Sequence, residues 1–207
     1  MTQLLTPQEM YEADRLTIQA GVPGIDLMEA AGLACAGIIR DLSEPCPVCV
    51  VCGPGNNGGD GFVIARLLAE AQWPVKLLFA GEQAMLKGDA ALAASAWKGE
   101  VLPAQPGALA GAGLIVDALF GAGLSRDIDG DMACLVAGMN DTDALRIAVD
   151  MPSGVDGASG SIRGIAVQAH HTITFFRAKP GHYLQPGRGQ CGAVHVADIG
   201  ISAEVLA

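Results

Sequence analysis

Short apolar runs separated by segments of helical length constrain the fold of this 207-residue chain more than any other feature. The runs are residues 48–52, 75–80, 114–119 and 147–149. They show little of the apolar–polar alternation that is typical of a strand with one solvent-facing side. Strands buried on both faces of a parallel sheet have this composition. The segments 60–72, 84–98 and about 131–140 have the length and composition of helices. The pattern predicts a three-layer, Rossmann-like α/β fold with a doubly wound, mostly parallel sheet.

Two helices are predicted before the first strand. Thr6 and Glu9 form a capping box that starts the first helix, and Gly21 followed by Pro23 is its stop signal. The second helix is predicted to start at Asp26 and to continue through Ile39. Two later apolar runs predict further strands towards one edge of the sheet: 172–176 and 193–196. No repeat, linker or low-complexity tract divides residues 1–207, so we expect a single domain.

Composition narrows the classes of function. The formal net charge is −10 and the sequence pI is about 4.6, which argues against a basic face for nucleic acid or an anionic membrane. The N-terminus lacks the basic and apolar regions of a secretory signal. No uninterrupted apolar run approaches the ~20 residues of a membrane-spanning helix. We therefore expect a cytoplasmic protein that binds neither nucleic acid nor membrane.

Three of the six cysteines form a CxxCxxC series at Cys46, Cys49 and Cys52, a spacing that invites a metal or cluster interpretation. The series lies in a predicted strand, where period-2 alternation sends Cys49 to the face opposite Cys46 and Cys52. No fourth ligand stands at metal spacing. We interpret these cysteines as small buried hydrophobic residues in a reducing compartment.

Three strand ends carry unusual residues, and ligands of open parallel sheets bind at this edge. The first end contains Gly53, Gly55 and Gly58 in a GxGxxG pattern. Glycines there allow a tight turn and close approach of the backbone to a phosphate, which the N-terminus of the following helix favours. A plain glycine turn remains an alternative. The pair Asn56-Asn57 argues against it, because a plain turn does not need two side-chain amides.

The other two strand ends present carboxylates. Asp117 lies inside an apolar run, where a carboxylate needs partners, either backbone N–H groups or a cation or ligand. Asp150 ends another run and precedes a turn that projects its carboxylate and Ser153 over the edge of the sheet. Three separate strand ends therefore deliver polar groups to one edge of the sheet.

Two cations follow predicted strands. Arg126 lies on a strand-end loop and could meet a phosphate, and Lys179 could act near the carboxylates; a solvated surface role is the alternative for both. We assign structural roles to the four histidines.

Together these segments resemble the NAD(P)H-hydrate epimerase family, also known as the YjeF N-terminal domain. The resemblance spans residues 5–200 and rests on several short motifs. Each motif alone is unspecific, but their combination is specific to the family. The motifs are Asn56-Asn57-Gly58-Gly59-Asp60-Gly61, Val116-Asp117-Ala118-Leu119-Phe120-Gly121 with Gly123-Leu124 and Arg126, Asp150-Met151-Pro152-Ser153-Gly154, Lys179-Pro180-Gly181 and Asp198-Ile199-Gly200, with Gly21-Val22-Pro23 and Leu27-Met28-Glu29 in the leading helices. One departure is Ala30, where relatives often have Asn; any polar role of that position is in doubt.

The resemblance implies an isomerase that interconverts the R and S epimers of hydrated NADH or NADPH, as part of nicotinamide-nucleotide repair. The hydrate carries a hydroxyl at C6 of the nicotinamide ring. Such epimerases work with an ADP- or ATP-dependent NAD(P)H-hydrate dehydratase, to which many are fused. This sequence stops near Ile201, where a fused dehydratase would begin, so both a stand-alone epimerase and an N-terminal half are open. The apolar leading helices suggest a homodimer.

The family's functional residues map onto this sequence. A potassium ion would be held by Asn57, Asp117 and Ser153, and hard oxygen donors suit an alkali cation. We expect Asp150 to be the acid/base group at C6, and Lys179 to tune it. The implied substrate contacts are Asn56, Asn57, Gly58, Gly59, Asp60, Gly121, Ala122, Gly123, Leu124, Ser125, Arg126, Asp127 and Asp150.

Two other functions remain open. A non-catalytic nucleotide-binding module acting through a protein partner would bind the nucleotide without turnover. An NAD(P)-dependent dehydrogenase would share the GxGxxG pattern, but only Glu82 lies near the ribose-reading position, and no hydride-transfer partner emerges from the sequence.

Overall fold

The computed structural model describes residues 3–206, which form an α/β domain around one seven-stranded sheet. All strands pair in parallel, in the order β3-β2-β1-β4-β5-β6-β7. The strands are β1 Val48–Cys52, β2 Val75–Phe79, β3 Val101–Pro103, β4 Leu114–Ala118, β5 Leu145–Val149, β6 His171–Phe175 and β7 Ala193–Ala197. The predicted doubly wound fold is confirmed, and the sheet is wholly rather than mostly parallel.

Helices cover both faces of the sheet, which produces the three layers. They are α1 Pro7–Gln19, α2 Gly24–Leu42, α3 Asn56–Glu70, α4 Gly88–Ala96 and α5 Gly130–Asn140. The larger core cluster joins one face of the strands to the first four helices, and a second cluster joins the other face to α5. The side chains of β1 and β4 are buried throughout, because both faces of these central strands are covered.

The order of the strands reverses between β1 and β4. From β1 the chain proceeds outward to β2 and β3, then returns to place β4 on the other side of β1. The loops that leave the carboxyl ends of β1 and β4 therefore diverge and open a crevice between them. Such a switch point is where ligands of open α/β sheets bind.

The start of α3 differs from the sequence prediction. We predicted a glycine turn up to residue 60, since glycine and asparagine disfavour helices, but α3 begins at Asn56. Tertiary packing explains these helical glycines. A Cβ on Gly58 would lie 1.8 Å from the Gly53 carbonyl oxygen, and one on Gly59 would lie 2.7 Å from the Met28 side chain. The glycines let the first turn of α3 approach the loop after β1 and helix α2.

One strand was not predicted, and the bounds of one helix were wrong. Strand β3, at Val101–Pro103, was missed because three residues give too short an apolar pattern, and it pairs only at the edge of the sheet. Helix α4 spans Gly88–Ala96 instead of 84–98, since a separate 3-10 turn at Gln83–Met85 precedes it.

The alternation predicted for the cysteine series is confirmed. Cys52 belongs to the core cluster beneath the first helices, with Cys46 packed against it, whereas Cys49 belongs to the cluster on the opposite face. All three are free thiols. Burial raises the pKa of Cys49 to about 11, so this thiol stays protonated. Between residues 3 and 206, no helix has the length and apolar character to cross a membrane.

Candidate active site

The crevice at the switch point is a cavity of about 550 Å³, a volume typical of small-molecule sites. The carboxyl end of the sheet and the first turn of α3 form one side, and α1 forms another. The lining residues are Pro7, Met10, Tyr11, Asp14, Pro54–Asn57, Asp60, Leu119–Arg126, Asp150, Phe175, Lys179 and Ile199.

A buried ion pair lies at the base of this cavity. Lys179 Nζ lies 2.6 Å from Asp150 Oδ1 and donates a further hydrogen bond of 2.8 Å to Thr174 Oγ1. The other Asp150 oxygen accepts a 2.9 Å hydrogen bond from the Ala122 N–H. Burial alone would raise the pKa of Asp150, but Lys179 outweighs it, with help from the Ala122 N–H, and lowers the pKa to about 2. Asp150 is therefore ionised at neutral pH.

The backbone of Asp150 is held in an uncommon conformation. Its φ of 64° lies in the left-handed region, which costs a non-glycine residue energy and is found disproportionately at functional sites. Two hydrogen bonds fix it. The Asp150 N–H donates to Ile173 O at 2.7 Å, and the Asp150 carbonyl oxygen lies 2.8 Å from His182 Nε2. Because His182 Nδ1 accepts the Lys179 N–H at 2.9 Å, Nε2 carries the proton and donates it.

A second carboxylate, Asp117, lies beneath the cavity and is completely buried. It accepts hydrogen bonds from Ser153 N–H at 2.8 Å, Ser153 Oγ at 2.6 Å and Leu119 N–H at 3.3 Å. Burial raises its pKa to about 6 and these hydrogen bonds oppose the rise. Among residues 3–206 no cationic side chain pairs with it, so its negative charge lacks a counter-charge.

The Asn57 amide bears on whether a cation fits there. With its nitrogen towards Val149, the amide donates to Val149 O at 3.1 Å and its oxygen accepts from Gly121 N–H at 3.3 Å. The opposite orientation would set oxygen against oxygen and N–H against N–H, so the rotated amide is the favourable one. The Asn57 amide oxygen, the Ser153 hydroxyl and the uncompensated Asp117 carboxylate are hard oxygen donors of the kind that suits a monovalent cation.

The structure brings most of the predicted substrate residues to one cavity. Asn56, Asn57, Asp60, the loop 121–126 and Asp150 line it, together with Lys179. A Cβ on Gly121 would lie 3.0 Å from Asp150 Oδ2 and 3.2 Å from Asn57 Oδ1, so these side chains flank Gly121. Gly58, Gly59 and Asp127 lie outside the lining, and Asp117 and Ser153 lie beneath it.

Sequence reasoning missed two residues of this site. His182 was given a structural role in a loop, yet it is fully buried and contacts both Asp150 and Lys179. Asp14 was not considered, although it lines the cavity from α1. Helical spacing from the capping box at Thr6 would have placed Asp14 on one face with Pro7, but only the structure shows what that face covers.

Comparison with known proteins agrees with this architecture. A family model described as YjeF-related protein N-terminus matches residues 24–181. The chain belongs to the YjeF N-terminal family. The matched region holds β1 through β6 and every predicted site residue. It begins after α1, so Asp14 lies outside it.

Named relatives of the YjeF N-terminal family cover nearly all of the chain. An NAD(P)H-hydrate epimerase of Rhodopirellula baltica is 37% identical over 98% of this chain and 86% of its own length. One of Limosilactobacillus fermentum is 38% identical over 95% of this chain and 96% of its own. A bifunctional NAD(P)H-hydrate repair enzyme Nnr of Coxiella burnetii is 37% identical over 98% of this chain, which spans only 42% of that relative.

A solved structure supports the fold. The crystal structure of the yeast protein ynu0 (YNL200c) superposes with a TM-score of 0.74 at 22% identity, covering 95% of this chain and 87% of the yeast chain.

Proposed function

We propose that this protein is an NAD(P)H-hydrate epimerase, which interconverts the R and S epimers of hydrated NADH and NADPH. The observation that carries the proposal is the cavity at the switch point, where a buried Asp150–Lys179 pair meets the Asn-Gly-rich start of α3 and the loop 121–126. Relatives named for this activity match almost the whole chain.

The substrate contacts follow from the chemistry of the lining. The N-terminus of α3 directs unpaired N–H groups towards the cavity, where they favour a phosphate. Arg126 supplies a cation on the opposite loop. This local arrangement offsets the repulsion that the net charge of −10 exerts on an anionic nucleotide. The nicotinamide end of the substrate would then reach Asp150.

Epimerisation needs a positioned acid/base group, because C6 is bonded to both the ring nitrogen and the hydroxyl. Its configuration is lost through reversible departure of water or through reversible ring opening. Asp150 is ionised and fixed by four contacts, so it is ready to accept the O–H proton of a hydroxyl or water bonded to C6. Lys179 holds it in the ionised state and orients it.

We further propose that Asn57, Asp117 and Ser153 hold a potassium ion. Bound there, the ion would supply the counter-charge that Asp117 lacks and would fix the strand-end loops around the substrate. Thermal unfolding in potassium chloride and in choline chloride of equal ionic strength tests this. We expect potassium to raise the unfolding temperature of the wild type and to have no effect on Asp117→Asn; equal temperatures for the wild type in both salts would contradict the assignment.

We propose two partners, a dehydratase and a second copy of this chain. The product epimer would be consumed by an ADP- or ATP-dependent NAD(P)H-hydrate dehydratase, and relatives that are bifunctional repair enzymes support the pairing. Ile18 on α1 and Leu33 on α2 are 45% and 63% exposed, and we propose that these apolar side chains take part in a homodimer interface. Light scattering after gel filtration checks it, and a monomer mass at micromolar concentration would count against it.

A direct assay tests the main proposal. A purified single epimer of hydrated NADH is incubated with the protein, and chromatography follows the appearance of the other epimer, with the uncatalysed rate subtracted. We expect a large acceleration by the wild type and its loss in Asp150→Asn. No acceleration by the wild type would refute the proposal, and nucleotide binding without turnover would indicate a binding module. Near-wild-type turnover by Asp150→Asn would refute its assigned role.

A further inference from the structure

Helix α1 closes one side of the cavity with a single stripe of side chains. The stripe consists of Pro7, Met10, Tyr11 and Asp14, which stand at positions i, i+3, i+4 and i+7 of the helix. This spacing places them on one face of α1. The capping box at Thr6, in which the Glu9 N–H donates to Thr6 Oγ1 at 3.3 Å and the Glu9 carboxylate accepts the Thr6 N–H at 2.8 Å, fixes where the helix begins. Asp14 therefore faces the reaction site from an element outside the sheet.

The two carboxylates on either side of the cavity are bound very differently. Asp150 accepts hydrogen bonds from Lys179, Thr174 and the Ala122 N–H. Within residues 3–206, no group donates a hydrogen bond to the half-buried Asp14 carboxylate, and no cation pairs with it. A carboxylate without a structural partner, directed into a ligand cavity, is free to bond the substrate.

We propose that Asp14 is a second catalytic residue, the group that gives a proton to the C6 hydroxyl of the hydrated nicotinamide as that hydroxyl leaves. This inference rests on the proposed function. Asp150 is poorly suited to that task, because its ion pair with Lys179 keeps it ionised and favours proton acceptance over donation.

The charges around Asp14 support the assignment. Asp60 faces it from α3, Asp150 from the end of β5 and Lys179 from the loop after β6. Burial raises the pKa of Asp14 to about 6; Lys179 opposes the rise and Asp150 adds to it. Two carboxyl groups whose pKa values are driven apart within one site can take opposite roles, one as acid and one as base.

The proposed step conserves atoms and charge. Asp14 transfers its proton to the C6 hydroxyl, the C6–O bond breaks with its electron pair, and water departs. The positive charge is then shared by C6 and the ring nitrogen. A water molecule adds to the opposite face of C6 and gives its proton to Asp150, so that a C6–O bond forms with inverted configuration. Exchange with solvent returns a proton to Asp14 and removes one from Asp150.

The experiment compares Asp14→Asn and Asp14→Glu with the wild type in the epimer assay. Glu12→Gln is a matched control, because it removes one negative charge from the same helix at a side chain that pairs with Arg15 outside the cavity. We expect Asp14→Asn to lower kcat about 10²- to 10⁴-fold with little change in KM. Asp14→Glu should retain more activity than Asp14→Asn, and Glu12→Gln should behave as the wild type.

The pH profile and isotope incorporation provide independent readouts. Wild-type kcat/KM should fall as the pH rises through the pKa of Asp14, in both directions of the reaction, and Asp14→Asn should lack this fall. In ¹⁸O-labelled water, the wild type should incorporate one labelled oxygen for each inversion. Unfolding temperatures check the fold, and Asp14→Asn should unfold no earlier than the wild type, since the carboxylate has no partner to lose.

Several outcomes would overturn the role of Asp14 while leaving the proposed function intact. They are an active wild type together with an Asp14→Asn variant within threefold of its kcat, an unchanged pH profile in that variant, or inversion without labelled oxygen. An inactive wild type would instead refute the proposed function itself.

Discussion

Replacing Lys179 by Met should destabilise the protein, because the buried Asp150 carboxylate would lose its counter-charge. The two side chains are only 3% and 17% exposed, and their charged atoms lie 2.6 Å apart. In Lys179→Met, Asp150 keeps its hydrogen bonds from Ala122 and Thr174 but loses its counter-charge. Breaking a buried pair by removing one partner is strongly destabilising, because a buried charge remains.

The magnitude follows from the pKa of Asp150. Its lowering from 3.8 to about 2 corresponds to about 2 kcal/mol in favour of the ionised form in the folded protein. This is a net value, because burial of Asp150 acts against the effect of Lys179. The effect of Lys179 alone is therefore larger, and its loss should cost about 3 kcal/mol at pH 7, at the lower end for a broken buried pair. The wild-type contribution is fully present above pH 3.8 and is lost as the pH falls through about 2.

Urea unfolding of the wild type, Lys179→Met, Asp150→Asn and the double variant measures the coupling. We expect a coupling energy of about 2 kcal/mol at pH 7. Burial should raise the pKa of Asp150 in Lys179→Met, so the variant should recover part of its deficit at pH 4. The more exposed pair of Arg66 with Glu29 is the control, with an expected coupling of about 0.5 kcal/mol. Additive effects at Lys179 and Asp150, or an equal deficit at both pH values, would refute this reasoning.

Two further predictions concern the scaffold. Gly58→Ala should lower the free energy of unfolding by about 2 kcal/mol or more, since its Cβ would lie 1.8 Å from the Gly53 carbonyl oxygen, whereas Gly37→Ala, with open space around its Cβ, should be neutral or stabilising in denaturant titrations. Asp156→Asn should cost about 1 kcal/mol at pH 7, after allowance for solvent around Arg163. Burial raises the pKa of Asp156, but hydrogen bonds from Arg163 and Ser159 outweigh it and lower the pKa to about 2. The stability advantage of the wild type over Asp156→Asn should therefore decline only as the pH falls from 3.8 through about 2.

The fold was largely predictable because its strands are buried on both faces. Runs such as that of β1 contain few polar residues, and their spacing leaves room for helical crossovers. The sequence could not show the start of α3, because glycine and asparagine favour turns when considered locally. Contacts of Gly59 with Met28 on α2 decide the conformation, and these contacts join residues far apart in sequence.

The candidate site was predictable where a polar residue interrupts or ends an apolar run. Asp117 and Asp150 stand out for this reason, and the order of parallel strands carries both to one edge. His182 gives no such signal, since a histidine in a Pro/Gly loop resembles any surface histidine. Its burial depends on the chain returning beneath Asp150, where its Nε2–H fixes a left-handed backbone.

The position of Asp14 shows why the strand ends alone do not complete this site. The family model match begins at residue 24, whereas the cavity includes a wall from α1. A strand end can deliver Asp150 with its ion pair already formed, but that pairing commits the carboxylate to one protonation state. Asp14 can have the opposite tendency, because the inward stripe of α1 brings no cation to pair with it.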